Sequence, residues 1–481
     1  MTVIRAVMLS RPRDYIISSV AATLPHLIHS SAIAACTQSQ VPIIYQPSSL
    51  RSSSLSPIGS DRRGTLRTIA STAAPISKHF PRPDVVTGAA VYKHTSRRHS
   101  VAHSPFSLRP PPQYSTMAMK NTAEDVKIEF NAKGMPFRQL GSSGLRVPVF
   151  SLGGWLTLGG TVVGDPVKEI IKIAYENGIN MFDTAEAYAK GKSEIEMGRV
   201  IKELGLRRTD LIITTKIFWG PRDGPNDKGL SRKHIIEGTR ECLQRLQLDY
   251  VDVLFAHRYD VTVPMEEVVR AFHWIIEQGY AYYWATSEWS ARDLEEAIQI
   301  ADKYGLHKPV AEQCQHNMLH RERPEKEYAP LYKKYRIGTT VWSALASGLL
   351  TGKYNNGVPE GSRFDLNKDF FKNTLQSLTE EEGLAKIEKV KKLTALAEKK
   401  LGCSPAHLAL AWVAKSPNTS TVILGASKPE QVIDNLKAIE VIPKLTPEVM
   451  EEIEGILGNK PDPYLTYGRP PLDAFGRDPI Y

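Results

Sequence analysis

Cysteine is scarce in this chain of 481 residues, and long apolar runs are missing. The four cysteines (Cys36, Cys242, Cys314 and Cys403) lie far apart and form no C-x-x-C pair, so a disulfide framework is not indicated. No stretch approaches the roughly 18 consecutive apolar residues of a membrane-spanning helix. These absences favour a soluble protein with reduced thiols, and we expect it in the cytoplasm.

Acidic side chains are nearly absent from residues 1–116. This segment has 13 basic against 3 acidic side chains, a formal charge of +10, whereas the remaining residues have 48 basic and 49 acidic side chains, a charge of −1. The basic character of the chain therefore belongs to its N-terminal part. A nucleic-acid-binding face on the body of the protein is not indicated, and we expect no nucleic-acid partner.

The N-terminal segment is also rich in Ser, Pro and Arg and has no sustained apolar periodicity. Such a composition predicts a disordered extension, which we place at residues 1–134. An Arg-rich, acid-poor segment is also typical of a mitochondrial transit peptide. A third interpretation is an over-extended start, because Met117 and Met119 precede sequence of ordinary composition.

Residues 135–460 are predicted to form one domain, followed by a C-terminal tail at 461–481. Two short strand-like segments flank Gly141-Ser142-Ser143-Gly144, which indicates a β-hairpin. A unit of apolar strand, loop and amphipathic helix then recurs. The predicted strands are 151–154, 180–184, 211–216, 251–257, 282–287, 310–315, 339–343 and 421–425. The predicted helices are 166–177, 194–204, 232–246, 265–277, 291–303, 326–335, 405–415 and 429–439, with an additional helix at 380–400.

Eight strand–helix units in about 300 residues favour a closed (β/α)₈ barrel. The strands are apolar on both faces, as buried parallel strands are. The alternative is an open doubly wound sheet, which usually has G-x-G-x-x-G after its first strand. Gly153-Gly154-Trp155 and Gly159-Gly160 do not form that motif.

Four polar residues follow or end strands at the barrel face where active sites lie. Asp183 ends the second predicted strand, Lys216 the third and His257 the fourth, and Tyr188 lies on the loop after Asp183. Any one of them has an ordinary structural explanation, such as a helix cap for Asp183. Their occurrence together, on successive strands, favours a catalytic site.

The chemistry of the four groups is complementary. A carbonyl reduced by hydride transfer needs a proton at the forming alkoxide, and Tyr188 is a candidate donor. An ammonium such as Lys216 stabilises the phenolate, and Asp183 would hold that lysine. Lowering a tyrosine pKa from ~10 to ~7 takes roughly 4 kcal/mol. His257 could donate to the carbonyl oxygen and polarise it.

These residues resemble the aldo-keto reductase superfamily in their context, which reads GINMFDTAEAYAKGKSE, ITTKIFWG and LDYVDVLFAHR. The segments KIFWG, GLSRKHIIEG, LQRLQLDYVDV and VILGAS are especially similar to the subfamily that includes voltage-gated potassium channel beta subunits. The resemblance extends from about Met135 to Lys460. It implies a (β/α)₈ barrel that binds NADPH without a Rossmann motif, a small carbonyl substrate, a homotetramer and a possible membrane channel partner.

The resemblance also implies three groups of cofactor-binding residues. The nicotinamide end would meet Gly154, Trp155, Asp183, Ser287 and Gln313. The pyrophosphate would lie along Trp342, Ser343, Leu345, Ala346, Ser347 and Gly348, with Lys353 and Arg363 beyond it. Adenosine and its 2′-phosphate would meet Gly425, Ser427, Gln431, Asp434 and Asn435. The last group fits the attraction of a helix N-terminus for phosphate.

The chain departs from the beta-subunit pattern at three positions. His257 stands where mammalian beta subunits have Asn, which favours catalysis over a sensory role. Glu288 replaces an arginine, and Ala344 replaces a proline.

Two alternative functions follow: a cofactor-binding channel subunit, and a barrel lyase that uses Lys216 as a Schiff-base nucleophile. No metal site is predicted, because His316 and His320 lack an H-E-x-x-H context. Trp219, Trp289 and Tyr259 either line an aromatic pocket or pack between loops.

Overall fold

A closed barrel of eight parallel strands organises the computed structural model, which describes residues 126–464. A two-stranded antiparallel hairpin, β1 (Phe137–Gln139) and β2 (Arg146–Pro148), precedes it. The barrel strands follow each other in chain order and β10 closes the barrel against β3. They are β3 (Phe150–Gly153), β4 (Met181–Asp183), β5 (Ile212–Ile217), β6 (Val251–Ala256), β7 (Ala281–Ser287), β8 (Ala311–Gln315), β9 (Gly338–Trp342) and β10 (Thr419–Leu424).

The predicted (β/α)₈ barrel and the hairpin are therefore confirmed. Every barrel strand begins and ends within two residues of its predicted bounds. The open doubly wound alternative is wrong, because β10 pairs with both β3 and β9 and leaves the sheet without an edge.

The helices form an outer layer around the barrel. They are α1 (Asp165–Glu176), α2 (Lys192–Leu204), α3 (Arg232–Leu246), α4 (Met265–Glu277), α5 (Ala291–Tyr304), α6 (Ala329–Tyr335), α7 (Arg363–Leu366), α8 (Lys372–Ser377), α9 (Glu381–Leu396), α10 (Pro405–Lys415), α11 (Pro429–Leu436), α12 (Ala438–Val441) and α13 (Pro447–Leu457). The predicted helix 429–439 is divided into α11 and α12. Helices α7, α8 and α13 were not predicted.

Ser231, Ser290 and Ser404 directly precede the predicted helices 232–246, 291–303 and 405–415, where serine is a typical N-cap, and they make the hydrogen bonds of helix N-termini. The hydroxyl oxygens of Ser231, Ser290 and Ser404 each accept the backbone N–H three residues later at 3.2 Å. Because a serine at this position satisfies an amide that the helix leaves without a partner, local sequence alone indicated where α3, α5 and α10 begin.

The hairpin covers the amino-terminal end of the barrel. Leu140 and Val147 pack with the first inward residues of the strands, among them Met181 and Val253, in a small apolar cluster. Gly141 has φ +54°, and a Cβ there would lie 2.0 Å from the carbonyl oxygen of Val310. The amino-terminal end of the barrel is therefore filled by the hairpin, and the open end is formed by the carboxyl ends of the strands.

The chain is already in contact with the barrel from residue 127, whose N–H donates to the Gly205 oxygen at 3.2 Å. Phe130 lies against Tyr175, with ring centroids 5.3 Å apart. The predictions for 1–125 and for 465–481 fall outside the described residues, and the domain boundaries at 135 and 460 stay predictions.

The described cysteines, Cys242, Cys314 and Cys403, are free thiols. Burial raises the pKa of both Cys242 and Cys314, which keeps these thiols protonated. Within residues 126–464, no helix has both the length and the apolar character to cross a membrane.

Candidate active site

A buried ion pair lies at the centre of the open end of the barrel. The Lys216 ammonium donates to Asp183 Oδ2 at 2.5 Å and to the backbone oxygen of Thr184 at 2.8 Å. The side chains of Lys216 and Asp183 are 0% and 3% exposed. A charge this deep in a protein is stable only when it is paired and hydrogen-bonded, so the two groups depend on each other.

Two further donors hold the other carboxylate oxygen. Thr214 Oγ1 donates to Asp183 Oδ1 at 2.6 Å, and Gln313 Nε2 donates to the same atom at 3.2 Å. Thr214 and Lys216 lie two residues apart on β5 and so point to the same side of the strand. Asp183 is thus held by groups from β5 and β8 and cannot turn away from the lysine.

Desolvation sets the charge state of this cluster. Burial lowers the pKa of Lys216 below its usual value, and the neighbouring Asp183 carboxylate opposes that shift. The ammonium donates two of its three N–H groups, to a carboxylate and a carbonyl. As long as it is protonated in this pair, the lone pair required of a Schiff-base nucleophile is not available. This geometry gives no support to the lyase alternative.

Tyr188 lies directly beside the lysine. The Lys216 Nζ is 4.8 Å from the centroid of the Tyr188 ring. The tyrosine begins a short 3₁₀ turn, Tyr188–Gly191, in which Ala189 and Lys190 have positive φ. Non-glycine residues adopt this conformation only when the surrounding structure enforces it. The turn therefore holds Tyr188 at the rim of the cluster, half-buried rather than free in solvent.

His257 completes the cluster from the end of β6. Its ring packs edge-on against Tyr188, with centroids 5.9 Å apart. Burial, and then the charges of Arg258 and Lys216, hold the pKa of His257 well below its usual value, so the imidazole is neutral. Its Nδ1 is buried and has no hydrogen-bond partner among the described residues. An orphaned ring nitrogen beside two catalytic candidates is a position for a ligand atom.

The structure brings the residues of the predicted nicotinamide group to the same end. The Gly154 N–H donates to the backbone carbonyl oxygen of Asp183 at 2.9 Å, and a Cβ at Gly154 would lie 2.4 Å from Ser193 Oγ. Ser287 Oγ donates to the backbone oxygen of Gln313 at 3.0 Å. The Trp155 ring packs edge-on against Phe370, with centroids 5.8 Å apart.

The predicted pyrophosphate group lies on the loop after β9. Ala346, Ser347 and Gly348 have φ of 48°, 56° and 101° in succession. A Cβ at Gly348 would lie 3.2 Å from Lys353 Nζ, so the ammonium is next to the bend of this loop. The bend is preceded by Trp342, Ser343 and Leu345. The backbone oxygen of Ser343 accepts the side-chain amide N–H of Asn317 at 3.0 Å.

A partly buried arginine adjoins the predicted adenosine group. Arg363 makes no ion pair with the described residues, and burial lowers its pKa. A Cβ at Gly425 would lie 3.3 Å from Arg363 Nη2. Ser427 donates through its N–H to Gln431 Oε1 at 2.8 Å. A guanidinium without a counter-ion next to a helix N-terminus is a favourable place for a phosphate.

The remaining two residues of that group lie farther along α11. The Asp434 carboxylate is 3.2 Å from His407 Nε2 and 3.0 Å from Lys437 Nζ. Asn435 is buried. The two partners of Asp434 lie on α10 and directly after α11, and no described side-chain contact joins Asp434 or Asn435 to Ser427 or Arg363.

Thr214 and Arg258 are site residues that the sequence analysis did not select. Arg258 Nη1 donates to the His257 backbone oxygen at 2.5 Å and to Ser287 Oγ at 3.2 Å, and so ties β6 to β7. For Thr214 the alternation with Lys216 was a usable signal. For Arg258 no local pattern distinguished a site arginine from a solvated one.

Glu288 is held entirely by protein groups. Its carboxylate accepts the Gln315 N–H at 2.6 Å and the Trp342 indole N–H at 2.9 Å, and pairs with Arg323 at 2.8 Å. It lies at φ +58° directly after β7. The residue therefore connects the ends of β7, β8 and β9.

Of the three aromatic residues considered for a substrate pocket (Trp219, Trp289 and Tyr259), Trp289 and Tyr259 pack against each other. Trp289 is fully buried and lies against Tyr259, with ring centroids 5.5 Å apart. Trp219 packs edge-on against Phe218 at 4.8 Å, and its indole N–H has no described partner. His316 Nε2 lies 2.9 Å from Glu325 Oε1 and is engaged in that pair.

Comparison with known proteins agrees with this geometry. The profile of the aldo/keto reductase family matches residues 150–457. A protein of Schizosaccharomyces pombe named "Putative voltage-gated potassium channel subunit beta" is 52% identical over 334 residues, which cover 69% of this chain and 96% of that protein. Proteins of rice (Oryza sativa subsp. japonica) and Arabidopsis thaliana, each named "Probable voltage-gated potassium channel subunit beta", are 47% and 48% identical over 328 residues, 68% of this chain and 98% of theirs. The chain therefore belongs to the aldo/keto reductase family.

Proposed function

We propose that this protein is an NADPH-dependent oxidoreductase that reduces aldehydes or ketones to alcohols, with Tyr188 as the proton donor. The observation that carries the proposal is the buried Asp183–Lys216 pair, whose ammonium lies 4.8 Å from the Tyr188 ring centroid. Aldo/keto reductase family membership supports the oxidoreductase class.

The ammonium gives Tyr188 a reason to release its proton. When a phenol donates a proton to a forming alkoxide, a negative charge develops on the phenolate oxygen. A cation in a water-poor environment stabilises that charge much more than it would in bulk water. Asp183 keeps the ammonium in place, and Thr214 and Gln313 keep Asp183 in place. Tyr188 is thereby poised to act near neutral pH.

His257 orients the carbonyl in this scheme. Because its imidazole is neutral, it can donate one N–H to the carbonyl oxygen without adding a second positive charge beside Lys216. Tyr188 and His257, in edge-on contact, would then both reach the same oxygen. A donor pair around one oxygen fixes its position and polarises the C=O bond.

The residues present fit a dinucleotide phosphate. The bound nicotinamide would supply the hydride. Gly154, Trp155, Ser287 and Gln313 would surround its ring, and the bend at 346–348 with Lys353 would face the pyrophosphate. Arg363, which has no described counter-ion, together with Ser427 would face the 2′-phosphate. The unpartnered cation is the strongest support, because a partly buried guanidinium without a counter-ion attracts a phosphate.

The decisive experiment measures NADPH oxidation at 340 nm with a panel of aldehydes, ketones and quinones. We expect Tyr188→Phe to lose at least 100-fold in kcat while NADPH binding is retained, since general acid catalysis supplies 10²–10⁴-fold. Tyr304→Phe, on the outer surface of α5, is the matched control and should keep full activity. Equal turnover by Tyr188→Phe and the wild type would remove Tyr188 from its assigned role.

Cofactor selectivity has its own test. Ser427→Ala should weaken NADPH binding more than NADH binding, because only NADPH has the 2′-phosphate. Intrinsic fluorescence quenching on cofactor addition measures both affinities in one preparation. Equal weakening of the two would argue against a contact between Ser427 and that phosphate.

A second candidate function is that of a cofactor-binding subunit of a voltage-gated potassium channel. It is supported by the names of the three relatives, which share about half of their residues with this chain. Tight NADPH binding without turnover of any carbonyl would favour it, as would co-purification with the cytoplasmic part of such a channel. The histidine at position 257, where mammalian beta subunits have asparagine, favours the reductase function. We also propose a homotetramer, which light scattering on the purified chain measures directly.

A cytoplasmic location fits the free thiols of the three described cysteines. The mitochondrial alternative depends on residues 1–116. Mass spectrometry of the mature N-terminus distinguishes the two, because a transit segment would be removed.

A further inference from the structure

A cluster of three metal-ligating side chains lies on the outer surface, on the opposite face from the active site. His273 and Glu277 are on α4, and His307 is on the loop between α5 and β8. One ligand atom from each lies within 4.8 Å of the other two. This loop and the end of α4 precede barrel strands, so the cluster is on the face of the barrel that serves stability rather than catalysis.

We propose that His273, Glu277 and His307 form a binding site for Zn²⁺. Two imidazole nitrogens and one carboxylate oxygen are a ligand set that suits zinc, with water in the fourth position. Tetrahedral zinc needs donor atoms roughly 3.4 Å apart. Glu277 and His307 are exposed, so small side-chain rotations suffice to close the present separation.

The helix places two of the ligands on one face. His273 and Glu277 are four residues apart on α4, and side chains at this spacing are neighbours. Glu277 is also the last residue of α4. The unsatisfied carbonyl groups of a helix C-terminus carry partial negative charge, which favours a cation there.

The third ligand is on a loop that is already fixed. The backbone oxygen of His307 accepts the indole N–H of Trp284 at 2.8 Å. Trp284 is fully buried on β7 and stacks on Phe272 of α4, with ring centroids 4.7 Å apart. The His307 backbone is therefore held next to α4 before any ion binds, which reduces the entropy lost on binding.

The protonation states suit coordination at neutral pH. Burial, and then the neighbouring His307, lower the pKa of His273, so this imidazole is neutral. A hydrogen bond with His307 lowers the pKa of Glu277, so this side chain is a carboxylate. Two nearby cations are already paired: Arg270, one turn before His273, with Glu266 at 2.8 Å, and Lys308, next to His307, with Asp302 at 2.6 Å.

Zinc would replace two existing hydrogen bonds. His307 Nε2 and Glu277 Oε1 are 2.9 Å apart, and His273 Nδ1 accepts the backbone N–H of His307 at 3.4 Å. On binding, the ring proton of His307 moves from Nε2 to Nδ1, and the lone pair of Nε2 turns to the metal. His273 uses the lone pair of Nδ1, which at 3.4 Å gives up only a long hydrogen bond. The bound ion would join α4 to the α5–β8 loop.

The test uses the full chain without a histidine tag, treated with chelator and titrated with ZnCl₂ by calorimetry. We expect one saturable site per chain that the double variant His273→Asn/His307→Asn lacks. Glu277→Gln should raise the Kd at least tenfold. Glu237→Gln, at an exposed glutamate on α3 that pairs with Lys233, is the control and should stay within twofold of the wild type.

Thermal unfolding separates loss of the site from loss of the fold. The zinc-free variants should melt within about 2 °C of the zinc-free wild type, and Zn²⁺ should raise the melting temperature of the wild type and of the control variant but not of the double variant. Should the double variant fail to fold, the exposed Glu277→Gln decides the question in its place. Equal Zn²⁺ affinity in the wild type and in the variants would overturn the proposal and assign the binding to other histidines of the chain. Absence of saturable binding by the wild type would overturn it as well.

Discussion

Replacing Asp183 by Asn removes one charge from the buried pair while keeping the size of the side chain. Lys216 then keeps the Thr184 oxygen at 2.8 Å and faces an amide in place of a carboxylate. Breaking a buried ion pair by removing one partner costs about 3–5 kcal/mol. We expect Asp183→Asn to lower the free energy of unfolding at pH 7 by about that amount, because Lys216 is fully buried.

The loss should depend on pH with a definite sign. Burial already lowers the pKa of Lys216, and Asp183 opposes that shift. In the variant the folded-state pKa falls further below the unfolded value of about 10.4. Between these two values the unfolded chain binds more protons than the folded one, so the free energy of unfolding of the variant rises with pH. The gap between the variant and the wild type should therefore narrow as the pH approaches 10.

The double variant Asp183→Asn/Lys216→Met tests the reasoning most sharply. It leaves no buried charge, so its loss should be smaller than the sum of the two single losses and close to that of a neutral replacement. Urea unfolding followed by tryptophan fluorescence measures all four proteins. Asp223→Asn, which breaks an exposed pair with Lys228, is the control and should not shift the urea midpoint. Additive losses in the double variant would refute the coupling of Asp183 and Lys216.

Three further predictions concern stability outside the active site. Burial raises the pKa of Glu312 to about 8, so the wild type should lose several kcal/mol of unfolding free energy as the pH rises from about 4 to about 8, because the unfolded chain releases that proton first. Glu312→Gln should flatten this slope in urea titrations at several pH values, and an unchanged slope would assign it to other groups. Gly198→Ala should lower the free energy of unfolding by about 1–3 kcal/mol, because a Cβ there would lie 2.2 Å from the backbone oxygen of Leu246. Gly455→Ala is the control: a Cβ there meets open space in α13, and the change should stabilise the protein by about 0.5–1 kcal/mol. Equal melting temperatures of the two variants would contradict the packing argument. Ser404→Ala should cost about 1 kcal/mol through loss of the N-cap bond at 3.2 Å, and calorimetric melting would show no shift if the cap were irrelevant.

The periodicity of the sequence was enough to predict the barrel. Each buried strand is a short apolar run, each outer helix an amphipathic one, and the caps at Ser231, Ser290 and Ser404 mark helix starts by local chemistry. Helices α7 and α8, of four and six residues, were not predicted because such short segments have no full period to detect. Helix α13 has an N-cap at Thr446 and was within reach of the same rules.

Strand ends also located the catalytic candidates from sequence alone. Asp183, Lys216 and His257 end neighbouring strands, so a barrel brings them together without any knowledge of loops. The resemblance to a family added residues that periodicity could not select, such as Gln313 and Arg363. The positive φ of Ala346, Ser347 and Glu288 had no signal, because non-glycine residues in this conformation are enforced by their surroundings.

The sequence by itself determined the order of strands and helices, the closed barrel and the end of it that carries polar chemistry. Only the tertiary structure decided the charge states and contacts on which that chemistry depends. Gln313 donates to a carboxylate 130 residues away, Lys216 is fully enclosed, and His257 is neutral. The physical reason is desolvation: the free energy of a charge depends on everything that surrounds it, and those surroundings come from strands and loops far apart in the chain.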